Sequence, residues 1–432
     1  AQRCRRSGTQ MNTSENRQKT DTAVYPLSVP TKKILHRLQS AGFEAYLVGG
    51  CVRDFLLGRV PTDFDVTTNA LPAEIQAVFA DAETFDTGIQ HGTVTVLIDR
   101  MPFEVTTYRV DLGYSDGRHP DAVHFTRSLR EDAARRDFTV NAMAYNDSEG
   151  LKDFFGGKDD LAARIIRCVG EPDRRFQEDA LRVLRAIRFA SVLGFSIEPA
   201  TAQSLFDHAE RLTSVSKERI TAELTKLLCG KAVQPVLSAY MPVLFPCLPE
   251  LRILPRGAIQ STANICGAVP ASPALRLAGL FSGLTTAEAF SALTRLRLPS
   301  RLVSDVRALL LHLPEPLEPD RPSLRRLLGT LGAERLEGLL SLKRAVCQET
   351  GDAVGEDAAT SAADLTRRIL ADGDCCTIRQ LAVSGSDLMA LGFRGTAVGQ
   401  LLHQLLKAVT DDRLPNERST LLNALHTLDK GA

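Results

Sequence analysis

The chain carries no surplus of either charge: 52 Lys and Arg residues balance 52 Asp and Glu residues over 432 positions. A neutral total gives no global attraction for nucleic acid, yet it can hide a local basic groove, so it leaves the partner undecided. Arginines do recur between Arg127 and Arg188. Apolar runs long enough to cross a bilayer are missing, which excludes a membrane-spanning helix from the reading. The nine cysteines show no paired zinc-ligand spacing. Cys51, Cys168, Cys229, Cys247, Cys266 and Cys347 are scattered among apolar segments, as free thiols of a reducing, cytoplasmic compartment would be. Cys375-Cys376 has no partner histidine nearby and reads as incidental. There is no internal repeat and no His-Asp cluster of the kind that marks a phosphohydrolase domain. Residues 1–26 are polar, with several arginines and no apolar core, so they read as a disordered extension rather than a secretory signal, with Met11 as an eligible start. The length predicts two to four domains.

What is present is organised around Ala45 to Thr68, AYLVGGCVRDFLLGRVPTDFDVTT. Ala45 to Val48 reads as a buried strand, Gly49-Gly50 as a turn, and Cys51 to Leu57 as a helix that places Val52, Phe55 and Leu56 on one face. A second strand then contains Asp63-Phe64-Asp65-Val66. Side chains two apart on a strand share a side, so Asp63 and Asp65 are expected to project together. Carboxylates that close repel each other unless a cation sits between them. Mg²⁺ suits them, since it prefers carboxylate oxygens, keeps several waters and shares its site with phosphates. Taken singly, an Asp-x-Asp is usually a solvated turn and a Gly-Gly only a bend. The combination is more specific, because the glycines let backbone amides approach a phosphate and Arg53 can reach back to it.

A helix is expected over Thr31 to Gly42, another over Pro72 to Phe79, and strands over Gly92 to Ile98 and Pro102 to Tyr108. Glu104 lies on the last of these, and a third acid opposite an Asp-x-Asp is what a two-metal site often needs. His91 is as well suited to stabilising a turn as to touching substrate. Arg109 to Val123 is polar, contains glycine and is bounded by strands, which marks it as a candidate mobile loop. Gly156 to Arg167 is assigned a hinge role.

Glu178 to Ala190, EDALRVLRAIRFA, reads as a helix with Asp179, Arg182, Arg185 and Arg188 at every third position. At about 100° per residue that row spirals, so one base cannot touch all four. The economical arrangement gives the base to Asp179 and Arg182 and leaves Arg185 and Arg188 for phosphates or for bracing. A carboxylate only accepts hydrogen bonds and a guanidinium only donates them. Cytosine and adenine each offer an amino donor beside a ring acceptor, whereas uracil and guanine reverse that polarity. The pair could therefore accept C and A and reject U and G. Beyond this segment the pattern is almost wholly helical, with Asp352 to Ala363, acidic and alanine-rich, read as a loop or linker.

The stretch LVGGCVRDFLLGRVPTDFDVTT resembles the signature of the class II tRNA nucleotidyltransferase and bacterial poly(A) polymerase superfamily, and the residues that follow are most similar to bacterial CCA-adding enzymes. Arg135-Arg136-Asp137-Phe138-Thr139-Val140-Asn141-Ala142 resembles the family motif RRDFTxNA, and Glu178-Asp179-x-x-Arg182-x-x-Arg185-x-x-Arg188 its nucleotide-selecting motif. Leu381 to Arg418 resembles the family's tail, with Gly395-Thr396-Ala397-Val398-Gly399 where a proline is often expected between the glycines. The resemblance implies an α+β fold, with a polymerase-β-like nucleotidyltransferase head of mixed sheet and helices followed by all-helical neck, body and tail. The expected boundaries are 27–155, 156–250, 251–350 and 351–432, with tRNA held by the tail. It implies Mg²⁺ in a two-metal site on Asp63 and Asp65, with Glu104 as the third catalytic carboxylate. Nucleotide contacts are implied for Gly50, Arg53, Arg136, Asp179, Arg182, Arg185 and Arg188. The expected activity is CCA addition to the tRNA 3′ end from ATP and CTP. The rival readings are an A-adding enzyme, a poly(A) polymerase of the same superfamily, a nucleotidyltransferase acting on small molecules, and a catalytically silent RNA-binding protein. The resemblance implies that a complete loop at Arg109 to Val123 favours terminal A addition, and the long helical region is excessive for a small-molecule enzyme.

Overall fold

The computed structural model describes residues 27–112, 122–255 and 257–428. The expected N-terminal extension and the centre of the Arg109–Val123 loop lie outside them. The chain divides into two compact units, the first ending at Arg175 and the second beginning at Phe176.

In the first unit, helix α1 (Val29–Ser40) is entered through Ser28, whose hydroxyl accepts from the Thr31 amide, and it carries Pro30 in its first turn. Both features favour a helix N-terminus, the cap by satisfying an otherwise unpaired amide and the proline by fixing φ. Its Ile34, Leu35 and Leu38 are fully buried, at about 1.5–3 kcal/mol of burial free energy each. The chain then runs through β1 (Ala45–Val48), α2 (Gly50–Leu56), β2 (Asp65–Thr68), α3 (Pro72–Val78), β3 (Thr84–Gly88), β4 (Thr93–Ile98) and β5 (Met101–Thr107). A hairpin, β6 (Arg109–Leu112) with β7 (Ala122–Phe125), is followed by α4 (Leu129–Ala134), β8 (Ala144–Asn146), β9 (Gly150–Lys152) and α5 (Gly157–Ala163).

Seven strands form one mixed sheet in the order β3-β4-β5-β2-β1-β8-β9. Its ladders are antiparallel except for β2 beside β5, which is parallel. β4 alternates buried and half-buried positions along its length, the pattern of a strand with one face on the core. The threonines of the central strands are satisfied internally: Thr68 Oγ1 donates to the Glu44 carbonyl at 2.6 Å and Thr107 Oγ1 to that of Ala70 at 2.7 Å. Buried hydroxyls are tolerated only when paired in this way.

The second unit is almost entirely helical. It opens with α6 (Pro172–Glu178, which straddles the division), α7 (Leu181–Leu193), α8 (Pro199–His208) and α9 (Lys217–Leu228). Asp352 to Ala363, expected to be a loop or linker, instead forms the cap and first part of one helix of 20 residues, Ala353–Asp372. Asp352 caps it by accepting from the Gly355 amide at 2.9 Å, and its alanines are the strongest of helix formers. Toward the C-terminus, Leu381, Val383, Leu388, Leu405, Leu421 and Leu425 gather in a separate apolar cluster. Among the described residues no helix is long and apolar enough to cross a membrane.

One close approach in the first unit carries a prediction. A Cβ at Gly157 would lie 2.3 Å from the Thr139 carbonyl oxygen and 2.9 Å from Met143 Cγ. Backbone cannot give way there, so Gly157→Ala should lower stability in urea unfolding by about 1–3 kcal/mol. At Gly257, where an added Cβ meets nothing within 4 Å, the same change should stay within about 0.5 kcal/mol.

Candidate nucleotide and metal site

The site grows from the register of three strands. Val48, the last residue of β1, pairs with Asp65, the first residue of β2. On its other flank Asp65 pairs with Glu104 of β5 in parallel register. One ladder thus brings the end of β1, Asp65 and Glu104 to a common place on the sheet. Gly49 then turns the chain with φ +75°, a conformation that side chains other than glycine rarely adopt. A Cβ there would sit 3.6 Å from both Asp65 Oδ2 and Arg136 Nη1, so the acid and the guanidinium border the same spot.

Asp63 does not lie within the strand, as the alternation of its sequence predicted. β2 begins at Asp65, because β1, its ladder partner, ends at Val48 where Gly49 turns away. Phe64 packs between Phe55 and Phe103, 6.2 Å from each ring. Asp63 still stands within electrostatic reach of Asp65. Burial pushes the Asp65 carboxyl above the usual carboxylate range, the Arg136 charge pulls it down, and Glu104 and Asp63 push it up again. All three acids remain accessible to solvent. Among the described residues no three acidic, histidine or cysteine side chains converge as a ready-made metal cage.

The arginines are held by partners that sequence reading missed. Arg136 Nη2 lies 3.2 Å from Asp132 Oδ2, and its Nε is buried without a hydrogen-bond partner among the described residues. Asp132 is fully buried. It also accepts from Arg135 Nε at 2.9 Å, from Thr67 Oγ1 at 3.2 Å and from the Arg109 amide at 3.4 Å. Burial alone would raise its carboxyl, but the charges and hydrogen bonds of Arg135 and Arg136 outweigh it and hold the group below the usual range. Arg53 donates to both oxygens of Asp54 at 3.0 and 3.1 Å and to Asn141 Oδ1 at 2.8 Å. Asn141 in turn donates to Asp137 Oδ1 at 3.1 Å. The RRDFTVNA segment therefore orients Arg53 through Asn141 while presenting Arg136 itself. The signal was there in its polar residues, but their partners are far apart in sequence. His91 ends a 3₁₀ turn and its carbonyl accepts from Arg109 Nη1.

The four residues of the arginine-rich segment belong to the second unit. The helix expected from Glu178 is interrupted: α6 ends at Glu178 and α7 begins at Leu181. Asp179 causes the break, its Oδ1 taking the Leu181 amide at 3.0 Å, the local capture that makes Asp a poor residue inside a helix. The Arg182 amide donates to the Asp179 carbonyl at 3.0 Å, and each side chain has a further charged partner. Asp179 Oδ2 receives Arg219 Nη2 at 2.8 Å, and Arg182 Nη1 lies 2.7 Å from Glu178 Oε2. Arg188 Nε donates to the nearly buried Glu223 at 2.7 Å, with Arg185 at 3.8 Å from the same carboxylate. Arg219 and Glu223, one turn apart on α9, thus brace a row that sequence periodicity identified without its partners.

Residues 45–167 match the poly A polymerase head domain family, and residues 194–240 match the probable RNA and SrmB- binding site of polymerase A. The chain is 37% identical to the CCA-adding enzyme of Limosilactobacillus fermentum over 409 residues, which covers 93% of this chain and 97% of that one. It belongs to the CCA-adding enzyme family. The CCA-adding enzyme of Geobacillus stearothermophilus is 35% identical, over 90% of this chain and 94% of its own. The solved structure of the Bacillus stearothermophilus CCA-adding enzyme in complex with CTP superposes with a TM-score of 0.73 at 31% identity, spanning 94% of this chain and all of that one. The family's polymerase-β-like head followed by helical domains is the architecture described above.

Asp132 offers a test of how the site's arginines are held. Its folded carboxyl is depressed, so its contribution is present above the ordinary aspartate value near 3.9 and fades as pH falls through the folded value. Removing one partner of such a buried pair costs about 3–5 kcal/mol. Asp132→Asn should therefore be destabilised by that amount at pH 7, and the deficit should shrink in urea unfolding series taken below about pH 4.

Proposed function

We propose that the protein adds the CCA sequence to the 3′ end of tRNA from CTP and ATP, releasing pyrophosphate and using no nucleic-acid template. The observation that carries the chemistry is the register of Asp65 against Glu104, with Arg136 opposite at Gly49. The assignment to tRNA rests on family membership across nearly the whole chain.

The donor set fits Mg²⁺. Accessible carboxylates set close together suit a cation that keeps several waters and uses only one or two protein carboxylates alongside substrate phosphates. A complete protein cage is not required for that. Asp63 and Asp65 would hold the metal, with Glu104 as the further carboxylate. Mg²⁺ bound there supplies the charge that lowers the pKa of the tRNA 3′-hydroxyl and stabilises departing pyrophosphate.

The chain's own groups do the rest. Arg136 faces the triphosphate across Gly49, where the missing Cβ leaves room for a phosphate oxygen, and its unpartnered Nε adds a further buried donor. Arg53 is clamped by Asp54 and Asn141, so it meets Gly50 and the nucleotide in one orientation. The bond that forms joins the tRNA 3′-oxygen to the α-phosphorus, and the one that breaks joins that phosphorus to the bridging oxygen of the leaving pyrophosphate. Base choice falls to Asp179 and Arg182, an acceptor and a donor set respectively by Arg219 and Glu178. Arg185 and Arg188, tied to Glu223, brace that pair. The tail is the proposed holder of the tRNA body, and the eight free cysteines among the described residues fit a cytoplasmic site of action.

The protein with Mg²⁺ should extend a tRNA ending at the discriminator base by CC when given CTP alone, and complete it to CCA when given both nucleotides. Extension only of a tRNA already ending in CC would make it an A-adding enzyme. Long A tracts on unrelated RNA would make it a poly(A) polymerase.

A further inference from the structure

A row of alternating charges runs from the β6–β7 hairpin to the nucleotide site. It begins at Asp111, whose side chain is only 7% exposed, 3.2 Å from Arg109 Nε and 3.8 Å from Arg135 Nη1. Arg135 continues it to the fully buried Asp132, with Nη2 at 2.9 Å from Oδ1. Asp132 spends its other oxygen on Arg136 Nη2 at 3.2 Å, and Arg136 Nη1 borders the spot at Gly49 that Asp65 also borders. The order is acid, base, acid, base, acid, and every bridging member lies largely out of water.

We propose that Asp111 is a positioning residue for nucleotide binding, acting on Arg136 through Arg135 and Asp132. This inference rests on the reading of Arg136 as the triphosphate contact and extends it to a residue on a different element. The physical argument concerns how Asp132 divides itself. Its carboxylate is shared by Arg135 on Oδ1 and Arg136 on Oδ2, and neither guanidinium can shift without the other taking part of its place. Asp111 holds Arg135 from the far side and so fixes that division. Without the Asp111 charge, the pull of Asp132 on Arg135 is less opposed, and the two like-charged guanidinium groups compete more strongly for one carboxylate. Arg136, with a buried Nε already lacking a partner, is the member with less to hold it. It then leaves the orientation in which Nη1 faces Gly49. Residues that act through one another in this way show non-additive effects, typically over neighbouring or networked pairs. Nothing in the motifs around Arg136 marks Asp111, which lies 25 positions upstream by number.

The test is CTP binding to the full chain by isothermal titration calorimetry with Mg²⁺, for the wild type, Asp111→Asn, Arg136→Lys and the double variant. Asp111→Asn should weaken CTP binding by about three- to tenfold, the scale of coupling between networked residues. In the Arg136→Lys background it should add nothing, and Asp111→Glu should restore binding. His124→Ala, an exposed change on the same hairpin, should leave binding unaltered. If Asp111→Asn lowers the melting temperature enough to obscure the result, Arg135→Lys, which keeps the charge but not the two-sided grip, should reproduce the loss and its dependence on Arg136. Wild-type affinity in Asp111→Asn, or an equal loss in both backgrounds, overturns the inference while leaving the site intact. A wild-type protein that binds no CTP overturns the reading of the site, and this inference with it.

Discussion

Everything in the nucleotide site depends on one electrostatic conflict. The parallel pairing of β2 with β5 sets Asp65 beside Glu104, and Asp63 adds a third negative charge from the segment just before the strand. Folding assembles this repulsion and does not remove it. Arg136 offsets part of the excess, but its own guanidinium is largely committed to Asp132. What remains is a surface of carboxylates with unmet demand for positive charge, beside an arginine with an unmet donor. In the proposed function a cation and a triphosphate meet those two demands together.

Maintaining such a site requires rigid surroundings, and the first unit supplies them with buried ion pairs rather than with apolar packing alone. Asp132, Arg135 and Arg136 form a largely buried charge group with Thr67 as a further donor. Thr67 lies two residues beyond Asp65 on the same strand, so the group that holds the arginine also touches the strand that carries the acid. Arg53 is fixed independently through Asp54 and Asn141. The second unit repeats the device with different residues: Arg219 and Glu223 of α9 hold the acid and the arginines of the neighbouring segment. In both units the side chains proposed to meet the nucleotide are held by oppositely charged residues, some a turn or less away and some, such as Arg219 and Glu223, from another helix, which costs desolvation but fixes orientation.

Much of this was legible in sequence where the information is local. The strand, Gly-Gly and helix of residues 45–56 followed from apolar pattern and glycine chemistry, and the structure places them within a residue of expectation. Glu104 was identified as an acid on a neighbouring strand, where the family resemblance implies a third carboxylate, and its register with Asp65 could not have been read that way. Asp63 was misplaced into the strand because alternation says nothing about where a ladder partner ends. Asp179 was misplaced into a helix because the arginine periodicity continued through it, while its side chain's capture of the Leu181 amide is a feature of one conformation. Asp352 to Ala363 went the other way, since acidic composition outweighed the alanine content that makes the segment helical. Asp132, Asn141, Arg219 and Glu223 went unnoticed because their partners are known only once the chain is folded.

The proposal that burial and neighbouring acids hold Asp65 ready for a cation is most directly measured by thermal unfolding of the wild type and Asp65→Asn with and without Mg²⁺. A raised folded carboxyl lowers stability above the ordinary aspartate value near 3.9 and does nothing well below it. Asp65→Asn should therefore melt higher than the wild type at pH 7, with the difference vanishing below about pH 4. Added Mg²⁺ should raise the wild type and leave the variant nearly unchanged, closing the gap. A variant that melts no higher than the wild type at pH 7, or that gains as much from Mg²⁺, would contradict the account.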